Sequence, residues 1–337
     1  MKVKDKPNTL LILVALLMVL LAGCSGLLGT SPGIDGTPTV QPEVKESPVP
    51  IDPYEKAKET KITLYFKHDI ADFLVPEERT VLQDKKSTEQ LVVEELLKGP
   101  QSFDRLLVMP PGTEVIDVTR RSDTVFVNLT DDFLNPIELS AIPGKEKTPE
   151  EDYSKVQAEM KRLAVYSIVN SLTYLDGVNQ VKLMINNTQL TYREMGTETL
   201  IEEGSELNPD SPMVAIRRNK NVNQSPARTV RLVLNALTTE PDWNIIYNFL
   251  SSKTMDGSTL PPLEELKAKV PPVVGGMIAF EGSPIVDEEY LGNKAFVTVH
   301  YTDKTSGSAR EVNEVLTVDY VDGLWKMRLP SFFSQYK

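Results

Sequence analysis

Four groups of residues have types and spacing that invite a chemical reading. Gly29, Thr30, Ser31, Pro32 and Gly33 spell G-x-S-x-G, the pattern that holds a nucleophilic serine on a strained turn between a strand and a helix. Here it lies in a stretch rich in proline, glycine and serine, without the strand and helix it needs, so Ser31 is dismissed as a nucleophile. His68 and His300 are the two histidines. The first closes a strand-like segment and the second alternates with Val297 and Val299; so far apart, they give neither a metal set nor a triad. Both are expected at a surface or a strand edge. Asp131 and Asp132 follow a strand-like run with no further oxygen ligands at the spacing of a calcium loop. Glu150, Glu151 and Asp152 suit the first turn of a helix, where the macrodipole favours anions. Both acidic groups are read as caps. No catalytic residue, no metal site and no bound cofactor is expected, and the chain is not read as an enzyme.

Cys24, the single cysteine, has a more definite chemistry. Lys2, Lys4 and Lys6 precede an uncharged apolar run from Leu10 to Ala22. As a helix that run would reach about 20 Å against a hydrocarbon core of roughly 30 Å, so it reads as the core of a signal peptide and not as a membrane span. Leu21, Ala22, Gly23 and Cys24 follow at once, and they resemble the lipobox of bacterial lipoproteins. The resemblance implies cleavage between Gly23 and Cys24 and a covalent diacylglyceryl group on the Cys24 thiol. Two acyl chains meet the two-signal requirement for stable anchoring, which places the protein on the extracytoplasmic face of the cell membrane. With one cysteine, no disulfide can form within the chain.

Length and charge narrow the partners. At 337 residues, with 40% hydrophobic and 25% charged residues, the chain can bury a core and is expected to form about two domains. The net charge is −12; residues 1–23 carry Lys2, Lys4, Lys6 and Asp5, a net +2, so the cleaved chain stands at −14. Such a chain gains nothing from counterion release on phosphates, and nucleic acid is excluded as a partner. Arg217, Arg218 and Lys220 form the one compact basic cluster and are read as a solvated loop.

The elements that must position any site follow from periodicity. Residues 24–59, rich in Pro, Gly, Ser and Thr, are expected to be a tether, and residues 196–224 a linker. Between them, Ile62, Leu64 and Phe66 alternate as one face of a strand. Ser87 and Gln90 form a capping-box pattern before Leu91, Val92, Val93, Leu96 and Leu97, a helix stopped by Gly99 and Pro100. Pro110, Pro111 and Gly112 then give a stiff entry to a hairpin of residues 114–120 and 124–129, turned at Arg121, Ser122 and Asp123. Thr148, Pro149 and Glu151 open a long helix through Leu175, and residues 178–186 close with a strand. The order is strand, helix, hairpin, helix, strand.

In order and spacing, "ELLKGP", "MPPGTEV", "VFVNLTDDF" and "SIVNSLTYLDGVNQVKLMIN" resemble the successive motifs of the GerM domain, known from spore germination and sporulation lipoproteins, over residues 60–195. Two features depart from the pattern: a polar insertion between Phe133 and Tyr153, and Asn186 and Asn187 where a glycine is often found. The resemblance implies an α/β sandwich similar to ring-building modules, which docks or assembles and has no known chemistry. Residues 225–337 read as three helices, the second carrying Trp243, Ile246, Tyr247 and Leu250, followed by strands, with an Asp322-Gly323 hairpin near the end. That order looks like the NTF2-like cone. Asp319, Tyr320 and Tyr301 are the groups that could serve as acid or base in such a cone, although fold alone grants no activity. The whole chain is therefore expected to be α+β, a GerM-like domain followed by an NTF2-like cone. Its expected role is docking or assembly with envelope proteins or with itself, in sporulation or germination, through Gln101, Ser102, Phe103, Asp104 and Arg105. The alternative reading is a small-ligand binder, or an isomerase-like enzyme, using the cone.

Overall fold

The computed structural model describes residues 58–237, 241–269, 278–279, 284–304 and 306–330, all within one compact unit, Lys56–Lys337. Gly23, Cys24, Ser31 and the expected tether up to residue 57 lie outside the described residues.

β1 (Lys58–His68) pairs antiparallel with β2 (Leu74–Gln83) through ten registered positions, from Lys58 opposite Gln83 to Lys67 opposite Leu74. Sequence reading expects one buried face on β1, yet every residue from Ile62 to His68 is buried. β2 is not anticipated by sequence at all, because Glu77, Glu78 and Arg79 interrupt its apolar run. A short β3 (Arg105–Leu106) completes this sheet in the order β2-β1-β3. Helix α1 (Thr88–Leu97) starts where the sequence places it, with the Ser87 hydroxyl accepting from the Gln90 amide, and it ends at Gly99 in the left-handed region at φ +86°.

The second sheet runs β4-β5-β6-β7: β4 (Val115–Arg121), β5 (Thr124–Leu129), β6 (Gln180–Ile185) and β7 (Ile216–Arg217). β5 and β6 are parallel and are joined through helix α2 (Glu150–Leu172). Asn186 and Asn187 have φ of 47° and 65°, so asparagine fills the left-handed positions where glycine was expected. The insertion folds inward: Ile137, Leu139 and Ile142 join the first hydrophobic core. Glu150, Glu151 and Asp152 occupy the first turn of α2 as expected; its N-cap is Pro149, while Thr148 bonds back to Lys145. The stretch 196–224, expected as a linker, is folded onto this half of the molecule. β7 pairs with β6, a short helix α3 (Tyr192–Met195) precedes the stretch, and Met213, Ile216 and Val222 are buried in the first core. Widely spaced apolar residues, not a periodic run, do this anchoring.

The C-terminal half has helices α4 (Pro226–Ala236), α5 (Trp243–Asn248) and α6 (Leu263–Lys269) with a sheet in the order β10-β11-β12-β13-β8. Its strands are β8 (Leu250–Thr254), β10 (Ile285–Leu291), β11 (Lys294–Asp303), β12 (Arg310–Val321) and β13 (Leu324–Leu329), and β9 (Ile278–Ala279) pairs with the far end of β11. Leu250, read as the end of a helix, instead begins β8, which lies parallel to β13. The hairpin at Asp322 and Gly323 forms as expected, with φ of 52° and 82°.

From Met160 onward α2 is buried almost all round, and its polar residues are each committed to a neighbouring segment. Asn170 holds the Asn219 carbonyl and the Asn223 side chain. Lys161 donates to the carbonyls of Phe133 and Asn135, and burial lowers its ammonium to about 8. Ser171 accepts from the Tyr65 amide at 2.9 Å, while Ser167 donates to the Tyr65 carbonyl. β3 meets β1 only at Lys67 and His68, and just before that pairing these two hydroxyls satisfy the amide and carbonyl of Tyr65. Ser171→Ala should therefore lower the unfolding free energy by about 1–3 kcal/mol in chemical denaturation, the cost of a buried donor left without a partner. The exposed Ser140→Ala is expected to change it by no more than about 0.5 kcal/mol.

Candidate functional site

The loop from Gly99 to Arg105 is built on β2. Glu77 and Arg79 are two residues apart on one strand, so both point to the same side, and both are buried. The Glu77 carboxylate accepts from Arg79 Nε at 2.8 Å, from the Gln101 amide at 3.1 Å and from the Ser102 amide at 3.1 Å. Arg79 in turn donates to the Glu95 carbonyl at 3.0 Å and the Gly99 carbonyl at 2.5 Å, tying the end of α1 to the same strand. Burial would raise the Glu77 carboxyl, but the Arg79 hydrogen bonds and the two backbone amides outweigh it and hold the group below the usual carboxylate range. Gly99 closes the helix with open space where a Cβ would stand, so its requirement is the positive φ alone.

Of the five residues expected to form an interface, two are exposed, two half-buried and one buried. Phe103 is fully exposed at the tip of the loop, and Gln101 is exposed beside it. Ser102 and Asp104 are half-buried. Arg105 is buried: it donates to the Pro76 carbonyl at 3.0 Å and the Asp322 carbonyl at 3.4 Å, and pairs with Asp104 at 3.1 Å. It is a strut between the two halves of the molecule and not a docking residue. Sequence reading missed Glu77 and Arg79; their spacing of two is a usable signal only once residues 74–83 are known to form β2.

The other chemical candidates are scattered. His68 is not at a surface: it is buried, with its ring 4.7 Å from that of Phe249 and 5.7 Å from that of Phe73. Burial lowers its imidazole to about 4, despite Asp104 nearby, so it is neutral at physiological pH. His300 is half-exposed on β11, 2.9 Å from both Asn313 and Glu311. Asp131 and Asp132 open a short 3-10 turn over Asp131–Leu134 whose N-cap is Thr130. Asp319 and Tyr320, adjacent on β12, face opposite sides of the sheet; Asp319 binds Arg328 and Ser251, while Tyr301 donates to Glu314. They do not form one site. Of the basic cluster, Arg218 is not solvated: its guanidinium lies over the Tyr65 and Tyr174 rings at 5.6 and 5.0 Å and donates to the Tyr65 hydroxyl. Among the described residues no cluster of three or more His, Cys, Asp or Glu could hold a metal ion.

Residues 63–191 match the Germane family, described as sporulation and spore germination. No curated protein matches the chain at a significant level. Among solved structures, the tandem GerMN domains of the sporulation protein GerM from Bacillus subtilis align at 16% identity with a TM-score of 0.32, covering 49% of this chain and 48% of that one. The chain thus spans about half the length of that relative. The first GerMN domain of the same protein aligns at 19% identity with a TM-score of 0.28, over 45% of this chain and 97% of the domain.

The geometry of the loop gives a test. Glu77→Gln removes the charge that Arg79 and the two amides share; Arg79 keeps the Glu95 carboxylate at 3.3 Å, so the cost should be about 1–3 kcal/mol, that of charge-assisted hydrogen bonds weakened. Hydrogen exchange at the Gln101 and Ser102 amides should quicken. In the wild-type protein the same two amides should lose protection in acid. The Glu77 carboxyl titrates lower when folded than when unfolded, so its contribution is complete above the ordinary value of 4.5 and falls away as pH drops below that toward the lowered folded value. Exchange corrected for intrinsic rates at several pH values measures both effects.

Proposed function

We propose that this protein, whose first half is a Germane domain of the sporulation and spore germination family, is a lipid-anchored docking or assembly module of the cell envelope, acting by contact and not by catalysis. Phe103 carries the reading. A phenylalanine in full contact with water is unfavourable in the free protein, and the loop beneath it is fixed by Glu77, Arg79 and Arg105. Little conformational entropy remains to be lost when a partner covers the ring, which is what makes a rigid exposed aromatic an effective anchor. Gln101 beside it supplies a polar rim. The partner is a second envelope protein or another copy of this chain.

The lipobox-like sequence at Leu21 to Cys24 supports attachment to the outer face of the cytoplasmic membrane through diacylglyceryl-Cys24. The 34 positions from Cys24 to Lys58 (58 minus 24) could span at most roughly 110–120 Å, enough to present the Phe103 loop well away from the bilayer. The C-terminal helices and sheet are read as an NTF2-like cone that fixes the first domain from one side, chiefly through Arg105 and the hairpin at Asp322 and Gly323.

Two experiments test this. Phe103→Ser should leave the thermal midpoint within about 1 °C and reduce crosslinking to envelope partners, or self-association in analytical ultracentrifugation, at least tenfold; unchanged assembly by both measures removes the loop from the interface. Cys24→Ala should abolish incorporation of labelled fatty acid and leave the precursor uncleaved, and persistent labelling would overturn the anchor.

A further inference from the structure

Aromatic rings stand on both sides of the seam between the two halves. On the first half, Tyr174, 50% exposed, has its ring 6.3 Å from that of Tyr65. On the second, Tyr320, 37% exposed, lies 4.9 Å from Trp325, and Trp325 lies 5.7 Å from Tyr290, 55% exposed. Tyr65, Tyr174 and Tyr320 line one cavity of about 460 Å³, within the roughly 300–1,000 Å³ that small-molecule sites occupy and at an internal boundary of the kind such sites favour. Glu78, Thr63 and Ser102 contribute carboxylate and hydroxyl groups to its walls. In one wall Arg105 is buried, and its Nε–H has no acceptor among the described residues.

The chemistry of this cleft selects a ligand class. Half-exposed aromatic faces accept the C–H face of a pyranose, and the carboxylate and hydroxyls between them match ring hydroxyls. An anionic ligand would meet, among the described residues that line the cleft, one cation, Arg105, whose terminal nitrogens are already engaged by Asp104 and two carbonyls. Glu78 and a net charge of −12 add repulsion. An acyl chain would leave the carboxylate and hydroxyls unpaired. Burial, with Tyr65, Glu78 and Tyr174 close by, raises the Tyr320 phenol, so it stays protonated and able to donate to a sugar oxygen.

We infer that the seam cleft binds a neutral oligosaccharide, with Tyr174 and Tyr320 as its stacking platforms. The inference does not depend on the docking role of Phe103, which lies at the exposed tip of a loop whose base, Ser102 and Arg105, lines the cleft.

The full chain should be titrated calorimetrically with a β-1,4-linked N-acetylglucosamine hexamer, and separately with a proline-rich decapeptide, the other ligand that aromatic grooves accept. The expected result is saturable binding of the glycan, weakened at least tenfold in Tyr174→Ala and in Tyr320→Ala, with Phe103→Ser binding as the wild type does. Tyr174 is the more exposed of the two, so Tyr174→Ala keeps the test valid if Tyr320→Ala unfolds. No heat with the hexamer at millimolar concentration, equal affinity in the tyrosine variants, or tighter binding of the peptide at the same tyrosines would each overturn the inference. Normal glycan binding by a Phe103→Ser protein that no longer assembles would separate the two roles.

Discussion

The buried ammonium of Lys67 is the interaction on which most of the structure depends. It lies at the end of β1 and collects the carbonyls of His68, Asp69 and Ala71, with Asp72 at 3.3 Å as its counter-ion. Burial lowers its pKa while Asp72 opposes the shift, and three carbonyls and a carboxylate surround the amine. Its effect is topological. The turn it winds sends Ala71, Phe73 and Val75 into the second hydrophobic core, while Leu64 and Phe66, just upstream, belong to the first. One connection between paired strands is thereby shared by both cores. The Gln224 amide then bonds the Leu74 carbonyl and Arg228 the Asp72 carbonyl, which fixes the start of α4 against the same turn.

The same economy of buried polar groups recurs. α2 spends Lys161, Ser167, Asn170 and Ser171 on neighbouring backbone and side chains, and β2 spends Glu77 and Arg79 on the loop after α1. Each of these groups would destabilise the core if left alone, and each instead dictates where one irregular segment must run. Loops that periodicity leaves undetermined are therefore specified by side chains placed elsewhere. Gly323 shows how close the fit is, since a Cβ there would meet the Arg105 guanidinium at 2.9 Å and the Pro76 carbonyl at 3.3 Å.

For function, this arrangement separates rigid support from exposed chemistry. The Phe103 loop and the seam cleft are carried by the same struts, Glu77 and Arg105, but they expose different groups: a lone aromatic tip in one case, tyrosine faces and hydroxyls in the other. Contact between the halves is thus a condition for both. A seam lined by neutral His68, Phe73 and Phe249 supplies the apolar part of that contact.

By itself the sequence determined what depends on near neighbours: α1 with its Ser87 cap and Gly99 stop, the presence of strands β1, β4, β5, β6 and β11 to β13, and the Asp322-Gly323 turn. Capping, left-handed glycine and two-residue alternation act within a few residues, so they can be read locally. It also supplied the motifs that resemble the GerM domain, over nearly the span matched by the Germane family. Only the tertiary structure decided that β2 and β10 are strands despite their charges, that residues 196–224 dock, that Arg105 is a strut and Phe103 a tip, and that Tyr65, Tyr174 and Tyr320 line one cavity. In each of those cases a charge or an apolar side chain is buried or bared by a partner tens to hundreds of residues away, and no local period records which partner arrives.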